Sequence, residues 1–376
     1  MEKERKYNLD WLRVIAFDLL ILYHVGMVFV PWNWHIKNIV TSNSFIVPMM
    51  FLNQWRLPLL FIISGMGTYY ALSYKTSGVF IKERALRLMV PLIFGILVLV
   101  PPQVYAERIN QGIEYKSYFL FYANLFNGIY PAGNLSWHHL WFIVYLFFYT
   151  LILTPLFVYI RSNSKLKLIE WLNYILNKYP FLILIFPIPL IIIEAALYPI
   201  YNYTLSFWGD WYALSFYGVL FFYGFILISL KGAFWKLVER YRLFFLIMAL
   251  LLTPTFFFLL GTNHQYLIYT VRLFNLWSWI LLLLGYSARF LNKPSTLLAY
   301  RNEAVYPFYI LHHTVLITLA FYIVKLDLNI PTKFILLVIG TFGIVWLIYE
   351  LIIRRINFFR ILFGMKSINN SVKKNP

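Results

Sequence analysis

YNLDWLRVIAFDLLILYHVGMVFVP, residues 7–31, is apolar enough over most of its length to cross a bilayer, yet it carries Asp10, Arg13, Asp18 and His24. Ionisable side chains at membrane depth are costly and are usually paired or functional. Arg13 and His24 are eleven positions apart, close to three turns of ~3.6 residues, so both project from one helix face. Asp10 precedes Arg13 by one turn, within reach of a helix salt bridge. The stripe they form reaches a histidine roughly 16 Å further in, at ~1.5 Å of rise per residue. A plain anchor has no use for such a stripe.

The rest of the chain repeats the apolar theme. It is 61% hydrophobic and 21% aromatic, with 12% charged residues against a soluble norm of ~25%. Long apolar runs recur to the C-terminus, which membrane spans explain better than one globular core. The absence of cysteine removes disulfides, thiolate nucleophiles and cysteine metal sites. A net charge of +18 does not imply a nucleic-acid partner, because the basic residues sit mostly in short loops on one side. Lys3, Arg5 and Lys6 before an apolar run resemble a signal peptide. Charges interrupt that run and no small-residue cleavage site follows, so a retained first span is expected.

The expected fold is an all-α polytopic membrane helix bundle of about ten transmembrane helices, placed by the ~20-residue rule. The spans fall near 9–30, 44–72, 87–105, 138–160, 180–200, 213–230, 243–261, 269–290, 303–324 and 333–353. Pro180, Pro187, Pro189 and Pro199 make the fifth the least regular. One set of loops holds Lys3, Arg5 and Lys6, then Lys75, Lys82 and Arg84, then Arg161, Lys165, Lys167 and Lys178. It continues with Lys231, Lys236, Arg240 and Arg242, with Arg289, Lys293 and Arg301, and with the tail from Arg354. The opposite loops hold little beyond Lys37, Arg108, Lys116 and Lys325. The positive-inside rule puts the first set and both termini in the cytoplasm, as expected of a multi-pass protein of the inner (cytoplasmic) membrane. Trp32, Trp34, Trp137, Trp208 and Trp211 cluster at outer ends, as an aromatic belt does. Residues 1–356 read as a single transmembrane domain and 357–376 as a basic cytoplasmic tail, mobile and placed to touch anionic headgroups. The outer stretch 106–137, rich in Tyr, Asn and Gly, reads as interfacial, with sugar stacking as the alternative.

Four further constellations carry possible chemistry. Histidine suits general-base work because its unperturbed pKa of ~6.5 lies near working pH, so His24 is a candidate to deprotonate a hydroxyl. In NQWRLPLLFIISGMG, residues 53–67, Arg56 lies inside a span, where arginine normally faces a cavity or a partner. Ser64 there is either an acyl-carrying nucleophile or, with Gly65, a close-packing element. In KERALRLMVP, residues 82–91, Arg84 and Arg87 are one turn apart at a cytoplasmic helix start. That pattern fits either a phosphate grip or an ordinary basic flank. SWHHLWF (136–142) and YPFYILHHTV (306–315) add His138, His139, Tyr309, His312 and His313. There is no HExxH, and adjacent histidines on one helix diverge, so no metal is expected. Glu194 and Arg272 are intramembrane charges whose partners the sequence does not identify.

These residues resemble the acyltransferase-3 family of integral membrane acyltransferases, and within it the glucan biosynthesis protein C branch, associated with succinylation of periplasmic glucans. The matching features, in order, are LDWLR with Arg13 and then His24; FIISG ending at Ser64 and Gly65; Arg84 and Arg87 before Pro91; HLWF at His139; and YPFYILHH. The resemblance implies transfer of an acetyl or succinyl group from cytoplasmic acyl-CoA, a co-substrate with no tightly bound cofactor, to a hydroxyl on a glycan or other acceptor. It makes Arg13 and His24 the essential first-helix pair, and Arg84 with Arg87 the cytoplasmic arginine motif. With it, the catalytic set is His24, Arg13 and Asp10, and Lys82, Arg84 and Arg87 bind the donor. Asp18, Arg56, Ser64, His139, Tyr309 and His312 are the candidate pocket, with Asp10 or Asp18 orienting His24. A secondary transporter of an anionic metabolite or glycan, and a non-catalytic membrane subunit, remain alternatives.

Overall fold

The computed structural model describes residues 6–162, 167–201, 203–230 and 232–368. Lys3, Arg5, Lys165 and Lys231, and the tail beyond residue 368, lie outside the described residues. Among the described residues the chain is helical, without strands. Nine stretches of helix are long and apolar enough to cross a membrane. Helix α1, Tyr7–Met27, has 21 residues, or about 31 Å at 1.5 Å per residue, matching a ~30 Å hydrocarbon core. Its charges keep it out of the apolar nine, and together they give the expected ten.

Helix α2 is Ile46–Leu72. Helix α3, Ser77–Phe94, continues through a π turn, Gly95–Leu99, into α4, Val100–Asn110. Then come the short α5, Tyr118–Ala123, a 3-10 turn His138–Leu140 and α6, Trp141–Ser162. Next are α7, Lys167–Lys178, α8, Pro187–Leu197, α9, Trp211–Ser229, and α10, Gly232–Arg240. The last five are α11, Arg242–Leu259, α12, Gln265–Phe290, α13, Thr296–Ile323, α14, Ile330–Ile348, and α15, Asn357–Leu362. Helices α7 and α10 occupy stretches expected to be plain basic loops. Each buries one stripe, Phe234, Leu237 and Val238 in α10, at the i, i+3, i+4 spacing of an amphipathic helix. The irregular fifth span is a 3-10 turn, Pro180–Ile185, running into α8.

The chain divides into two compact units. The first comprises Met1–Ala16, Phe51–Lys82 and Tyr145–Ala299. Here a Cβ on Gly65 would overlap the carbonyl oxygen of Phe221, and one on Gly224 that of Ile62. Hydrogen in place of a side chain is what lets α2 and α9 come this close. Ser64 Oγ donates back along its own helix to Leu60 O at 2.7 Å. Polar groups are paired across the buried helix contacts: Asn275 Nδ2 donates to Gln54 Oε1 at 2.9 Å and Trp277 Nε1 to Ile183 O at 2.9 Å. Arg272, whose partner the sequence left open, donates Nε to Glu194 Oε1 at 3.0 Å and pairs its second branch with Oε2. Tyr212 Oη lies 3.2 Å from the same guanidinium.

The second unit comprises Phe17–Met50, Glu83–Val144 and Tyr300–Pro376. Its apolar core joins Val25, Val28, Phe29 and Ile36 to Leu316, Ile317 and Leu337, and this pins the segment after α1. Asn38 N donates to Val28 O (3.0 Å) and Ser42 N to Phe29 O (2.9 Å), while the buried Lys333 ammonium reaches Asn38 Oδ1 at 3.0 Å. The π turn has a local cause. Pro101 has no N–H for the carbonyl of Leu97 four residues back, and Tyr122 O–H supplies the missing donor at 2.9 Å. The expectation of a mobile tail from residue 357 is corrected over its first part, which folds into α15. Arg360 is anchored to Glu303 Oε1 at 2.8 Å. Gly364 turns with φ +69° where a Cβ would meet Tyr306 at 2.5 Å and Arg87 O at 2.8 Å, a turn only glycine makes cheaply.

Candidate active site

Six of the seven histidines, His24, His35, His138, His139, His312 and His313, come together in the second unit. They arrive from four places: the end of α1, the segment after it, the 3-10 turn before α6, and the middle of α13. His313 is the hub, with ring centroids 4.9 Å from His24, 5.3 Å from His35 and 4.7 Å from His139. The Trp34 ring lies 6.3 Å from His24 at 21°, so this tryptophan, expected in the aromatic belt, packs on the cluster instead.

Hydrogen bonds assign the tautomers. His312 Nδ1 lies 2.6 Å from Tyr309 O, and a carbonyl only accepts, so His312 carries its proton on Nδ1. Its Nε2 is then an acceptor and receives the Nδ1–H of His24 at 2.9 Å. The neutral His24 ring is left with its lone pair on Nε2. Tyr309 is in turn held by its own O–H, which donates to His139 O at 2.6 Å, and His139 Nε2 donates to Ile310 O at 3.0 Å. His313 Nδ1 donates to Gln103 Oε1 at 2.7 Å, and Gln103 Nε2 to Thr314 Oγ1 at 2.8 Å. His312 and His313 are fully buried, whereas His24 is half-buried. The arrangement is an imidazole whose second nitrogen is fixed by a group that is itself fixed, the geometry a catalytic relay requires.

A family model described as an acyltransferase domain, Acyl_transf_3, matches residues 6–350. The chain belongs to the acyltransferase-3 family. The chain is also similar to "Glucans biosynthesis protein C" of Escherichia coli K12, at 25% identity over 165 residues, 43% of this chain and 41% of that one. The protein of the same name from Escherichia coli O139:H28 matches with the same identity and coverage. The matched stretch thus spans about two-fifths of these curated relatives. No solved structure matches.

The structure partly gathers the residues expected to act together. His24, His139, Tyr309 and His312 share the cluster. Asp18 does not orient His24: it is committed to Arg301, and it lies six residues, roughly 9 Å, back along α1. Asp10 pairs with Arg13 at 3.1 Å, fourteen residues before His24 on the same helix. The position assigned to a carboxylate is therefore filled by the His312 imidazole. Arg56 is buried in the first unit. Lys82, Arg84 and Arg87 lie in the second and third turns of α3, not at its start, Lys82 and Arg87 exposed and Arg84 half-exposed. The Arg87 guanidinium sits 6.0 Å from the Tyr306 ring.

His35, Glu107 and Tyr130 join the cluster without having been singled out in the sequence. Glu107 Oε2 lies 2.9 Å from His35 Nδ1, and Tyr130 O–H donates to Glu107 Oε1 at 2.9 Å. Burial, and then the Glu107 charge, push the Tyr130 phenol above its usual range, so it stays a donor. No local pattern marks these residues, because Glu107 is 72 positions from His35.

Proposed function

We propose that the protein is an O-acyltransferase of the inner membrane. It moves an acetyl or succinyl group from cytoplasmic acyl-CoA to a hydroxyl of a glycan or other extracytoplasmic acceptor. The observation that carries this is the relay from His24 Nδ1–H to His312 Nε2 to Tyr309 O. It sets the His24 lone pair on Nε2, and its acceptor is a neutral imidazole that stabilises the imidazolium formed in the reaction. The acceptor hydroxyl attacks the thioester carbonyl, a C–O bond forms, and its proton passes to His24 Nε2. Collapse of the tetrahedral intermediate breaks the C–S bond, and the His24 proton leaves on the CoA thiol.

Lys82, Arg84 and Arg87, in the second and third turns of α3, offer the donor's phosphates cationic hydrogen-bond donors, on the side that the Lys and Arg bias assigns to the cytoplasm. Arg13, three turns before His24 on α1, is too far along the helix to touch the same carbonyl, and is the candidate to hold a more distant part of the donor. The name of the Escherichia coli relatives favours a glucan acceptor. The transporter alternative drew on intramembrane charges, and Arg272 and Glu194 answer one another structurally. The test is CoA release and acyl incorporation by purified protein supplied with acetyl-CoA or succinyl-CoA and a glucan. His24→Ala should lower turnover by the ~10²–10⁴-fold typical of a lost general base, and near-normal turnover in that variant would overturn the assignment.

A further inference from the structure

Beside the relay, three side chains from separate segments turn their ligating atoms on one point. His35 lies in the segment after α1, Glu107 on α4, and His138 on the 3-10 turn before α6. His35 Nδ1 is 2.9 Å and His138 Nε2 3.7 Å from Glu107 Oε2, and the three ligating atoms all lie within 4.8 Å of one another. The carboxylate is fixed from behind. Tyr130 O–H (2.9 Å) and Gln111 Nε2 (3.2 Å) both donate to Oε1, which leaves Oε2 facing the two imidazoles. His138 is held as firmly: its backbone N–H donates to Ser136 Oγ at 3.0 Å, and its Nδ1 lies 2.7 Å from the same oxygen.

One atom in this network is unsatisfied. His138 Nε2 is buried, the side chain only 1% exposed, and has no hydrogen-bond partner. At 3.7 Å, Glu107 Oε2 is beyond hydrogen-bond range. Buried polar atoms in native proteins are rarely left unpaired, and an ion is one of the things that pairs them. Two imidazole nitrogens and one carboxylate oxygen are a complete protein ligand set for zinc with one position open. Tetrahedral bonds of ~2.0–2.2 Å place neighbouring ligand atoms about 3.3 Å apart, between the 2.9 and 3.7 Å found here. Oriented second partners, Tyr130 on Glu107 and Ser136 on His138, are also what metal sites use to aim their ligands.

We infer that His35, Glu107 and His138 form a binding site for a divalent first-row metal, with the fourth position taken by water or a substrate oxygen. The site stands apart from the His24 relay by the width of the His313 ring, and it does not depend on the acyl-transfer reading. Its metal departs from the expectation that no metal is held, which weighed ligands only within single helices.

The test uses the full-length protein in detergent, stripped with chelator and reloaded with Co²⁺ or Zn²⁺. Wild type should rebind one equivalent of Zn²⁺, and its Co²⁺ form should show the visible absorption of a four-coordinate N/O site. Glu107→Gln, which keeps the shape of the side chain, and His138→Ala should each abolish that absorption. Tyr130→Phe should weaken binding roughly 10–100-fold. His24→Ala should retain the cobalt spectrum even where acyl transfer is lost, which separates the two readings. Wild type without cobalt absorption or stoichiometric zinc overturns the site whatever the variants do. So does a monodisperse Glu107→Gln protein whose spectrum and zinc content match wild type.

Discussion

Replacing His312 should slow acyl transfer without disabling it, and by an amount the geometry sets. In the structure His312 accepts a hydrogen bond from His24 at 2.9 Å. When His24 takes the substrate proton, that bond becomes one from a charged donor, worth about 1.5–3 kcal/mol against about 0.5–1.5 for a neutral one. His312→Ala forfeits the charged bond at the transition state. It also forfeits the neutral bond in the ground state, so the difference is about 1–1.5 kcal/mol, and at ~1.36 kcal/mol per decade the expected fall in kcat is roughly 5–13-fold, less than for loss of His24 itself. Because little of this is felt before proton transfer, KM for acyl-CoA should change little. His312→Gln presents an amide oxygen that can accept from His24 Nδ1, so it should recover much of the loss. The assay is steady-state CoA release by purified variants of matched thermal stability. Wild-type kcat in His312→Ala would refute the relay, as would Gln and Ala variants that are equally slow.

Two further outcomes follow from pairs described above. Glu194→Ala strands the Arg272 guanidinium, and breaking one side of a buried pair costs about 3–5 kcal/mol. The melting temperature in detergent should drop sharply, while a Glu194→Leu/Arg272→Met double variant should recover most of it. Lys37, outside the membrane spans, has its pKa lowered to about 8 by burial from an ordinary 10.5. The unfolded chain therefore holds this proton between pH 8 and 10.5 after the folded chain has lost it, so Lys37 makes stability rise with pH across that window. Melting temperatures of wild type and Lys37→Met should converge as pH climbs from 8 to 10.5, and a constant gap would contradict the shift.

The spans were legible because a bilayer demands length and apolarity, both local properties of sequence. Helix α1 was the harder case, and its charges were the guide to the candidate site at His24. What local pattern could not give was pairing at long range. Asp18 finds Arg301 across 283 positions, so a carboxylate six residues from His24 is spent elsewhere, and the His24 Nδ1 meets an imidazole 288 positions away. The histidines of SWHHLWF and YPFYILHH were visible as candidates, yet their convergence with His35 and Glu107 needed four segments brought together. Helix α10 was missed differently. Its apolar spacing was present in the sequence, but at nine residues it falls below the span rule and was absorbed into a basic loop. In the tail, the basic composition masked Arg360, a single buried arginine whose partner Glu303 lies 57 positions back.

The central claim is that a neutral imidazole on α1, aimed by His312, takes the proton from an acceptor hydroxyl as that oxygen attacks an acyl-CoA thioester. Its most direct test is single-turnover transfer from radiolabelled succinyl- or acetyl-CoA to a glucan, comparing wild type with His24→Ala in reconstituted membranes. The account predicts labelled glucan and stoichiometric free CoA with wild type, and label left on CoA with folded, inserted His24→Ala. Labelled glucan appearing at the wild-type rate in that variant would contradict it.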